Sequence, residues 1–310
     1  MRILSWHVHG AWSTAFVHGD HDHVVPVVPG RGADGRGRAR TYGWPDRVRE
    51  ATPAEIGDTA FDVVVLQRPD DERLLLEWTG LRAGRDVPAV YVEHNAPQGR
   101  ITDMRHPVAD RRDLTLVHVT HFNALFWDAG STPTRVIEHG VPDPGARYTG
   151  TLPHAVVVAN EAPRRGRVVG ADLLGALNGD VAIDLFGIDS ERLGGHGDVP
   201  HDRLLTEMAR RRMYLHPVRW TSLGLSLVEA MHLGMPVVAL ATTETAEAVP
   251  AAAGVVSNRV DRLRAAMARF RDDPVAAADA GRAARAHATH RFGLRRFLED
   301  WDRLLEEVAT

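Results

Sequence analysis

Short apolar runs recur along the whole chain, and several are continuous and rich in β-branched residues. Runs of this kind are typical of strands buried on both faces of a parallel sheet. In the first half the predicted strands are Ile3–Val8, Val24–Val28, Phe61–Leu66, Ala89–Glu93, Leu114–Val119 and Thr134–Ile137. In the second half they are Ala155–Ala159, Ala182–Phe186, Met213–Leu215, Pro236–Leu240 and Gly254–Val256.

Segments with helical patterns lie between these strands. In the second half they are Gly170–Leu177, Arg203–Arg211, Ser226–Leu233 and Arg259–Phe270. The tail Leu294–Val308 is amphipathic, with Phe297, Trp301 and Leu304/Leu305 at helical spacing. Alternating strands and helices predict an α/β protein with doubly wound parallel sheets, here two Rossmann-like domains in tandem. A break near Gly140–Gly145 would separate a domain over residues 1–142 from one over 143–293.

Length, charge and composition limit the number of domains and the kinds of partner that we expect. A length of 310 residues suits two domains, and a net charge of -4 gives no general attraction to nucleic acid. We see no signal peptide at Met1–Val8 and no run near the roughly 20 apolar residues that span a bilayer, so we expect a cytoplasmic protein. Peripheral membrane contact stays open.

The chain contains neither cysteine nor lysine. Disulfides, zinc–sulfur sites, a P-loop lysine and a pyridoxal phosphate Schiff base are therefore excluded. A bound anion must be held by Arg, His or backbone N–H groups. The abundance of Arg, Ala, Gly and Val without Lys is typical of a GC-rich, actinobacterial-type genome.

The stretch Pro217–Ala239 carries the clearest chemical pattern. Gly224 is predicted to end a loop at the start of a helix, whose first N–H groups would attract a diphosphate. Glu229 falls in the middle of that helix, where its carboxylate could accept two ribose hydroxyls. Gly234 would end the helix before a buried strand. On spacing alone, an ordinary β–α–β unit with a surface glutamate is an equal alternative.

The whole pattern resembles the donor site of glycosyltransferase family 4, whose members have the GT-B fold. The matching residues are Glu229, Ala230, Gly234, Pro236, Val237, Val238 and Ala239. The resemblance implies two facing Rossmann-like domains with the ligand between them, and a C-terminal helix over about 294–310 that crosses back to the first domain. It places Gly224, with Leu223, Leu225 and Ser226, on the donor diphosphate and Glu229 on the ribose.

Three positions depart from the family pattern. The family's first glutamate, which contacts the transferred sugar, falls on Thr221. The arginine and lysine that hold the diphosphate fall on Asn160 and Arg165. Arg165 keeps the positive charge, as a planar fork instead of a point charge, whereas Asn160 and Thr221 carry none. The loops Leu185–Gly187 and Gly197–Pro200 would line the nucleobase.

The first domain matches the family at fewer positions. His94 follows a predicted strand, as does the family's histidine beside the transferred sugar, although a loop histidine is the commoner fate. Gly10 lies in the loop after the first strand, where its backbone would approach the donor. Trp12 is either core or an acceptor platform. His118 and His121 are either acceptor-side or ordinary loop residues.

The resemblance implies a glycosyltransferase that moves a sugar from a nucleotide-diphosphate donor to an acceptor hydroxyl, with retention and without a metal or other cofactor. His94 and Arg165 would be its catalytic residues. The acceptor, which could be a glycan, a lipid or a small molecule, is not specified. A non-catalytic nucleotide- or sugar-binding relative is the alternative, because of Thr221 and Asn160.

Histidine clusters raise a third, weaker alternative. His7-Val8-His9 and the tract His18–His23 would suit a metal-dependent hydrolase of the amidohydrolase type. Such an enzyme requires a barrel of eight β/α units. The order of elements favours two Rossmann-like halves, in which Gly19–His23 is a polar turn.

Overall fold

The computed structural model describes residues 1–100, 103–179 and 181–310. The chain divides into two compact units. Unit 1 comprises Met1–Gly140 and Leu294–Thr310, and unit 2 comprises Val141–Gly293. The C-terminal helix thus belongs to the first unit.

Within the described residues, unit 1 holds a parallel sheet of seven strands in the order β3-β2-β1-β4-β5-β6-β7. The strands are β1 (Arg2–Ser5), β2 (Asp22–Pro26), β3 (Arg49–Ala51), β4 (Val63–Leu66), β5 (Ala89–Glu93), β6 (Thr115–His118) and β7 (Thr134–Val136). The helices are α1 (Gly10–Phe16), α2 (Pro53–Gly57), α3 (Pro69–Thr79), α4 (His121–Phe126) and the C-terminal helix (Leu294–Ala309). A 3₁₀ turn spans Pro29–Arg31. The strand order reverses between β1 and β4.

An aromatic cluster joins the C-terminal helix to α1. The ring of Trp301 lies 5.6 Å from that of Trp12 and 5.0 Å from that of Phe16. Phe297 and Leu305, on the same face of the C-terminal helix, are also buried. Because the apolar face of this helix is covered within unit 1, the amphipathic pattern of the tail is explained, and Trp12 is a core residue.

In the part of the chain that is described, unit 2 holds a parallel sheet of five strands in the order β12-β11-β10-β8-β9. The strands are β8 (Leu152–Val158), β9 (Ile183–Phe186), β10 (Arg211–His216), β11 (Val237–Ala239) and β12 (Gly254–Val256). The helices are α5 (Ala162–Arg165), α6 (Leu174–Leu177), α7 (His201–Arg210), α8 (Leu225–Leu233), α9 (Thr245–Ala248), α10 (Val260–Asp272) and α11 (Pro274–Arg291). Three 3₁₀ turns span Ala171–Leu173, Ser190–Leu193 and Ala251–Ala253.

Two apolar clusters cover the two faces of this sheet. One includes Leu205 of α7 and Leu227 of α8, and the other includes Leu177 of α6 and Leu263 of α10. Alternate residues of β10 enter the two clusters, Tyr214 the first and Leu215 the second. Both faces of the sheet are therefore buried under helices, which accounts for continuous apolar runs such as residues 155–158 of β8 and the whole of β11.

Each predicted strand is present, with shifted ends in most cases. β3 was missed, because Arg49–Ala51 is a three-residue edge strand with two charged side chains. The predicted helix Gly170–Leu177 is wrong as one element, since Gly170 has φ +75° and a 3₁₀ turn precedes α6. The barrel required by the amidohydrolase alternative is wrong, because the described strands form two separate sheets.

No helix among the described residues is both long enough and apolar enough to cross a bilayer.

Several histidines lie in the interior. Burial lowers the pKa of His118 and of His216 to about 4 and that of His139 to about 3. Burial likewise lowers the pKa of His9 to about 4. In the unfolded chain a histidine has a pKa of about 6.5, so below that pH the unfolded state binds more protons than the folded state. Stability is therefore expected to fall as the pH drops from about 6.5 towards about 4.

Replacing His118 by Leu should reduce the loss of folding stability at low pH. His118 is fully buried, and neither ring nitrogen has a hydrogen-bond partner among the described residues. The His118→Leu variant should lose about 1.4 kcal/mol less stability per pH unit than the wild type below about pH 6. Urea unfolding at several pH values measures this slope. His290→Leu, which removes an exposed histidine of α11, is the control; equal slopes for wild type and His118→Leu would contradict the prediction.

Candidate functional site

The strand order of unit 2 reverses at β8 and β10, which pair directly, with Val156 opposite Tyr214. In open parallel sheets, ligands bind beyond the carboxyl ends of the two strands at such a reversal. The segments that leave those ends are residues 159–170 after β8 and residues 217–224 after β10. They contain most of the residues predicted to bind the donor.

The two segments pack against each other. The backbone N–H of Arg219 donates to the carbonyl of Val168 at 2.9 Å, and its guanidinium donates to the carbonyl of Arg167 at 2.8 Å. Arg219 also forms an ion pair with Asp172. A Cβ at Gly170 would overlap the carbonyl oxygen of Pro217, so this close approach requires glycine. The loop that leads to α8 is thus held in place by the loop that follows β8.

Helix α8 begins where the sequence predicted. Gly224 is its N-cap in an extended conformation, and Gly234 ends it with φ +89°. The N–H of Leu227 donates to the carbonyl of Gly224 at 3.0 Å, whereas the N–H groups of Leu225 and Ser226 have no partner within the helix and lie at its positive dipole end. The hydroxyl of Ser226 lies 2.8 Å from that of Tyr214, so this first turn is tied to β10. Leu223 is buried in the apolar cluster that contains Leu227, and Leu225 is partly buried and packs against the same cluster.

His216, the last residue of β10, lies directly under the start of α8. A Cβ at Gly224 would lie 2.6 Å from its Cε1 atom. Burial lowers the pKa of His216 to about 4, so this ring is neutral at physiological pH. It contributes no positive charge to an anion at the helix start. Sequence reasoning missed His216, because its contact with Gly224 forms only when the loop folds back.

Arg165 supplies the positive charge at this edge. It ends the short helix α5 and is half-buried, and its guanidinium forms neither a hydrogen bond nor an ion pair with any described residue. Burial lowers its pKa, with a further contribution from neighbouring Arg164. Arg164 is exposed and paired with Glu161. A half-buried cation without a partner favours a bound anion.

Asn160 has a contact of its own within the protein. Its Oδ1 accepts a hydrogen bond from the backbone N–H of Ile188 at 3.1 Å. The next residue, Glu161, is left-handed with φ 52°, and its N–H donates to the carbonyl of Ile188 at 2.7 Å. Asn160 thus joins the loops after β8 and β9. Its carbonyl oxygen is engaged, which leaves the amide N–H groups as donors.

In the sequence, Thr221 lies between Arg165 and Glu229, the two charged positions of the predicted pattern. It is part of the loop between β10 and α8. It is half-buried, and its hydroxyl makes no hydrogen bond to any described part of the chain. No carboxylate takes its place at residue 221. The hydroxyl can donate or accept one hydrogen bond but cannot supply charge.

Glu229 is largely buried within α8, with 8% of its side chain exposed. Its Oε1 lies 2.8 Å from Nε2 of His201, the first residue of α7. Over the described ranges, Oε2 accepts no hydrogen bond. His201 was missed from sequence, because nothing in the sequence pairs the start of one helix with the middle of the next.

In unit 1, His94 follows β5 and is 7% exposed. Its ring lies 4.1 Å from that of His9 and 5.0 Å from that of Trp12. Burial lowers the pKa of His94 well below the ordinary value, and proximity to His9 and His139 lowers it further. All three imidazoles are therefore neutral at physiological pH.

The turn after β5 is held by Glu93. One carboxylate oxygen accepts the N–H of Asn95 at 2.6 Å, and the other lies 3.0 Å from Nε2 of His106. This clamp positions the backbone on both sides of His94. At Gly10 a Cβ would lie 3.2 Å from the ring of Tyr42, so that side of the glycine faces an aromatic ring and not open space.

The other histidines singled out in the sequence are dispersed. His7 contacts the carbonyl of Gly37, His21 pairs with Asp302, and His118 is fully buried. His121 is exposed at the start of α4. In the described chain, no group of three or more His, Asp or Glu side chains is arranged to hold a metal ion.

Residues 190–287 match the sequence model of a family described as "Glycosyl transferases group 1". This range lies in unit 2 and includes His201, Gly224 and Glu229. No curated protein matches the sequence at a significant level.

Solved structures are similar to the chain over more of its length. TarM from S. aureus has a TM-score of 0.61 at 14% identity, over 78% of this chain and 54% of its own. The chain thus spans about half the length of TarM. HepE from Anabaena, in complex with UDP, has a TM-score of 0.69 at 16% identity, over 99% and 100%. Sucrose-phosphate synthase from Thermosynechococcus elongatus has a TM-score of 0.70 at 12% identity, over 99% and 98%.

These likenesses establish the fold. The chain has two parallel-sheet α/β units and shares the GT-B architecture of glycosyltransferases, which confirms the predicted fold class.

Substituting Gly170 tests the contact between the two site segments. Gly170→Ala adds a Cβ where φ is +75° and the carbonyl of Pro217 is already in contact, so it should destabilise the protein by about 2–4 kcal/mol. Gly175→Ala is the matched control, because a Cβ there meets nothing within 4 Å. Urea unfolding measures both. Equal stability of the two variants would show that the segments do not pack as described.

Proposed function

We propose that the chain is a glycosyltransferase that moves a sugar from a nucleotide-diphosphate donor to an acceptor hydroxyl. The observation that carries the proposal is Arg165, a half-buried cation without a partner among the described residues, in the segment that packs against the loop opening helix α8. A cation and a helix N-terminus together suit a diphosphate. The match of residues 190–287 to group 1 glycosyl transferases supports this reading. The shared fold with HepE, which was crystallised with UDP, supports it too.

In this proposal unit 2 binds the donor. Oε2 of Glu229 accepts ribose hydroxyls, since it is the oxygen that no described residue occupies. Backbone groups of Gly187 and of the loop Gly197–Pro200 line the nucleobase. The hydroxyl of Thr221 and the amide of Asn160 offer hydrogen bonds to the sugar and the diphosphate.

Departure of the diphosphate concentrates negative charge on its oxygens. Arg165 and the N–H groups around Gly224–Ser226 stabilise that charge in the transition state. In this scheme no metal ion is needed, because the guanidinium and the helix N-terminus supply the positive charge. We further propose retention, in which the leaving group departs and the acceptor hydroxyl attacks on the same face of the sugar.

Unit 1 is the proposed acceptor domain, and His94 is its proposed contribution to catalysis. Because burial keeps the imidazole neutral, His94 would act by hydrogen bonding to the sugar or the acceptor hydroxyl and not by its charge. The acceptor is a glycan, a lipid or a small molecule that offers a hydroxyl group.

A non-catalytic nucleotide-binding protein is the second candidate. Two observations favour it: residue 221 lacks a carboxylate, and Oδ1 of Asn160 is engaged with Ile188. The first leaves the sugar without a charged contact and the second ties Asn160 to the protein, whereas Arg165 and Glu229 remain for the nucleotide.

Binding and turnover separate these candidates. We expect isothermal titration to detect binding of at least one of UDP, GDP and ADP, and the matching nucleotide sugars to be slowly hydrolysed. Binding without hydrolysis or transfer from any donor would favour the second candidate. The glycosyltransferase proposal would be refuted if the protein bound none of the three diphosphates and any hydrolytic activity it showed were abolished by a metal chelator.

Replacing Arg165 by Ala should weaken the binding of the preferred nucleoside diphosphate by about 10- to 100-fold, the loss of one or two hydrogen bonds to a charged group. Arg164→Ala is the matched control, because Arg164 is adjacent, exposed and already paired with Glu161. Titration calorimetry measures both affinities. Equal losses for the two variants would argue against a diphosphate at Arg165.

A further inference from the structure

The described chain contains carboxylates of low exposure that are paired with histidine, and they differ in one respect. Glu93 accepts the N–H of Asn95 on one oxygen and lies 3.0 Å from His106 with the other. Asp184 contacts His154 and Arg211 through Oδ2 and lies 3.5 Å from His196 through Oδ1. In both cases each carboxylate oxygen is occupied by the protein.

Glu229 is the exception. Its Oε1 lies 2.8 Å from Nε2 of His201, whereas Oε2 has no hydrogen-bond partner in residues 1–100, 103–179 and 181–310. Only 8% of the side chain is exposed, but Oε2 is not fully buried, so it is an oxygen that a ligand can reach. A nearly buried carboxylate oxygen without a donor is costly, and the cost is recovered when a ligand supplies the hydrogen.

His201 is well suited to hold this carboxylate. It is the first residue of α7, and α7 packs beside α8 in one apolar cluster through Leu205 and Leu227. Three torsions separate the carboxylate of Glu229 from its backbone, so without an anchor it could adopt several rotamers. A hydrogen bond to one oxygen restricts these rotamers and keeps the other oxygen in one place before a ligand arrives.

We propose that His201 is the positioning residue for ribose recognition: by binding Oε1 of Glu229 it presents Oε2 to the ribose hydroxyls of the nucleotide. The inference rests on the proposed function, because it assumes that a nucleotide binds to unit 2. His201 lies outside the family pattern. In this inference it sets how strongly the site distinguishes ribose from 2′,3′-dideoxyribose.

The test compares nucleotides that differ only in the ribose. The probe is whichever of UDP, GDP and ADP the full-length wild type binds most tightly, together with its 2′,3′-dideoxy analogue. Calorimetry should give a ribose preference of at least about tenfold for the wild type, since a hydrogen bond to a charged group is lost in the analogue. In His201→Ala the preference should fall to within about twofold, while affinity for the dideoxy analogue stays within about twofold of wild type.

Two further variants separate positioning from folding. His201→Gln carries an amide N–H at about the reach of Nε2 and should restore most of the preference. His201→Asn keeps a polar side chain at this partly exposed position but is too short, and should behave like His201→Ala. His154→Ala, which breaks the 3.1 Å pair of His154 with Asp184 elsewhere in unit 2, should leave the preference unchanged.

The outcomes are distinct. A wild-type preference that survives in His201→Ala and His201→Asn overturns the inference, as does an equal loss of affinity for both nucleotides. A wild type that binds nucleotides without a ribose preference also overturns it and leaves the proposed function standing. A wild type that binds none of the three diphosphates overturns both.

Discussion

The pairing of β8 with β10 is the constraint on which the candidate site depends. Val156 lies opposite Tyr214, although many residues and β9 separate them along the chain. Because both strands are parallel, their carboxyl ends meet at one edge, and the loops that follow them must share that edge. The contact of Gly170 with the carbonyl of Pro217 then brings the segment after Arg165 against the loop that opens α8. The apolar clusters on both faces of the sheet hold this pairing in place.

Most of the arginines at this edge of the sheet are neutralised by neighbouring carboxylates. Arg164 is paired with Glu161, and Arg167 and Arg219 share Asp172. Of the arginines in these two described segments, Arg165 is the one left without a partner. His216 is neutral because it is buried. Arg165 is thus the unpaired cation of the described segment that packs against the loop opening α8, which makes it the place in these two segments where an anion is attracted most strongly.

The hydrophobic pattern was sufficient for most of the fold. β5 and β12 were predicted at their observed bounds, because their apolar runs end at sharp changes in residue type. β3 was not predictable, since its pairing with β2 is made by backbone atoms while Arg49 and Glu50 are polar. The chain at Gly170 was also misjudged, because its left-handed backbone follows from the close approach of Pro217, which is distant in sequence.

The sequence by itself determined the doubly wound architecture and the start of α8 at Gly224, since periodicity and helix signals are local. It also singled out Glu229 and Arg165 as candidate ligand contacts. Only the tertiary structure decided what each of them touches: the carboxylate of Glu229 is held on one side by His201, whereas Arg165 has no partner among the described residues. The contacts of Glu229 and Arg165 depend on which side chains of other helices and strands pack next to them in the folded unit. Hydrogen bonding and burial between such elements leave no periodic signal in the chain.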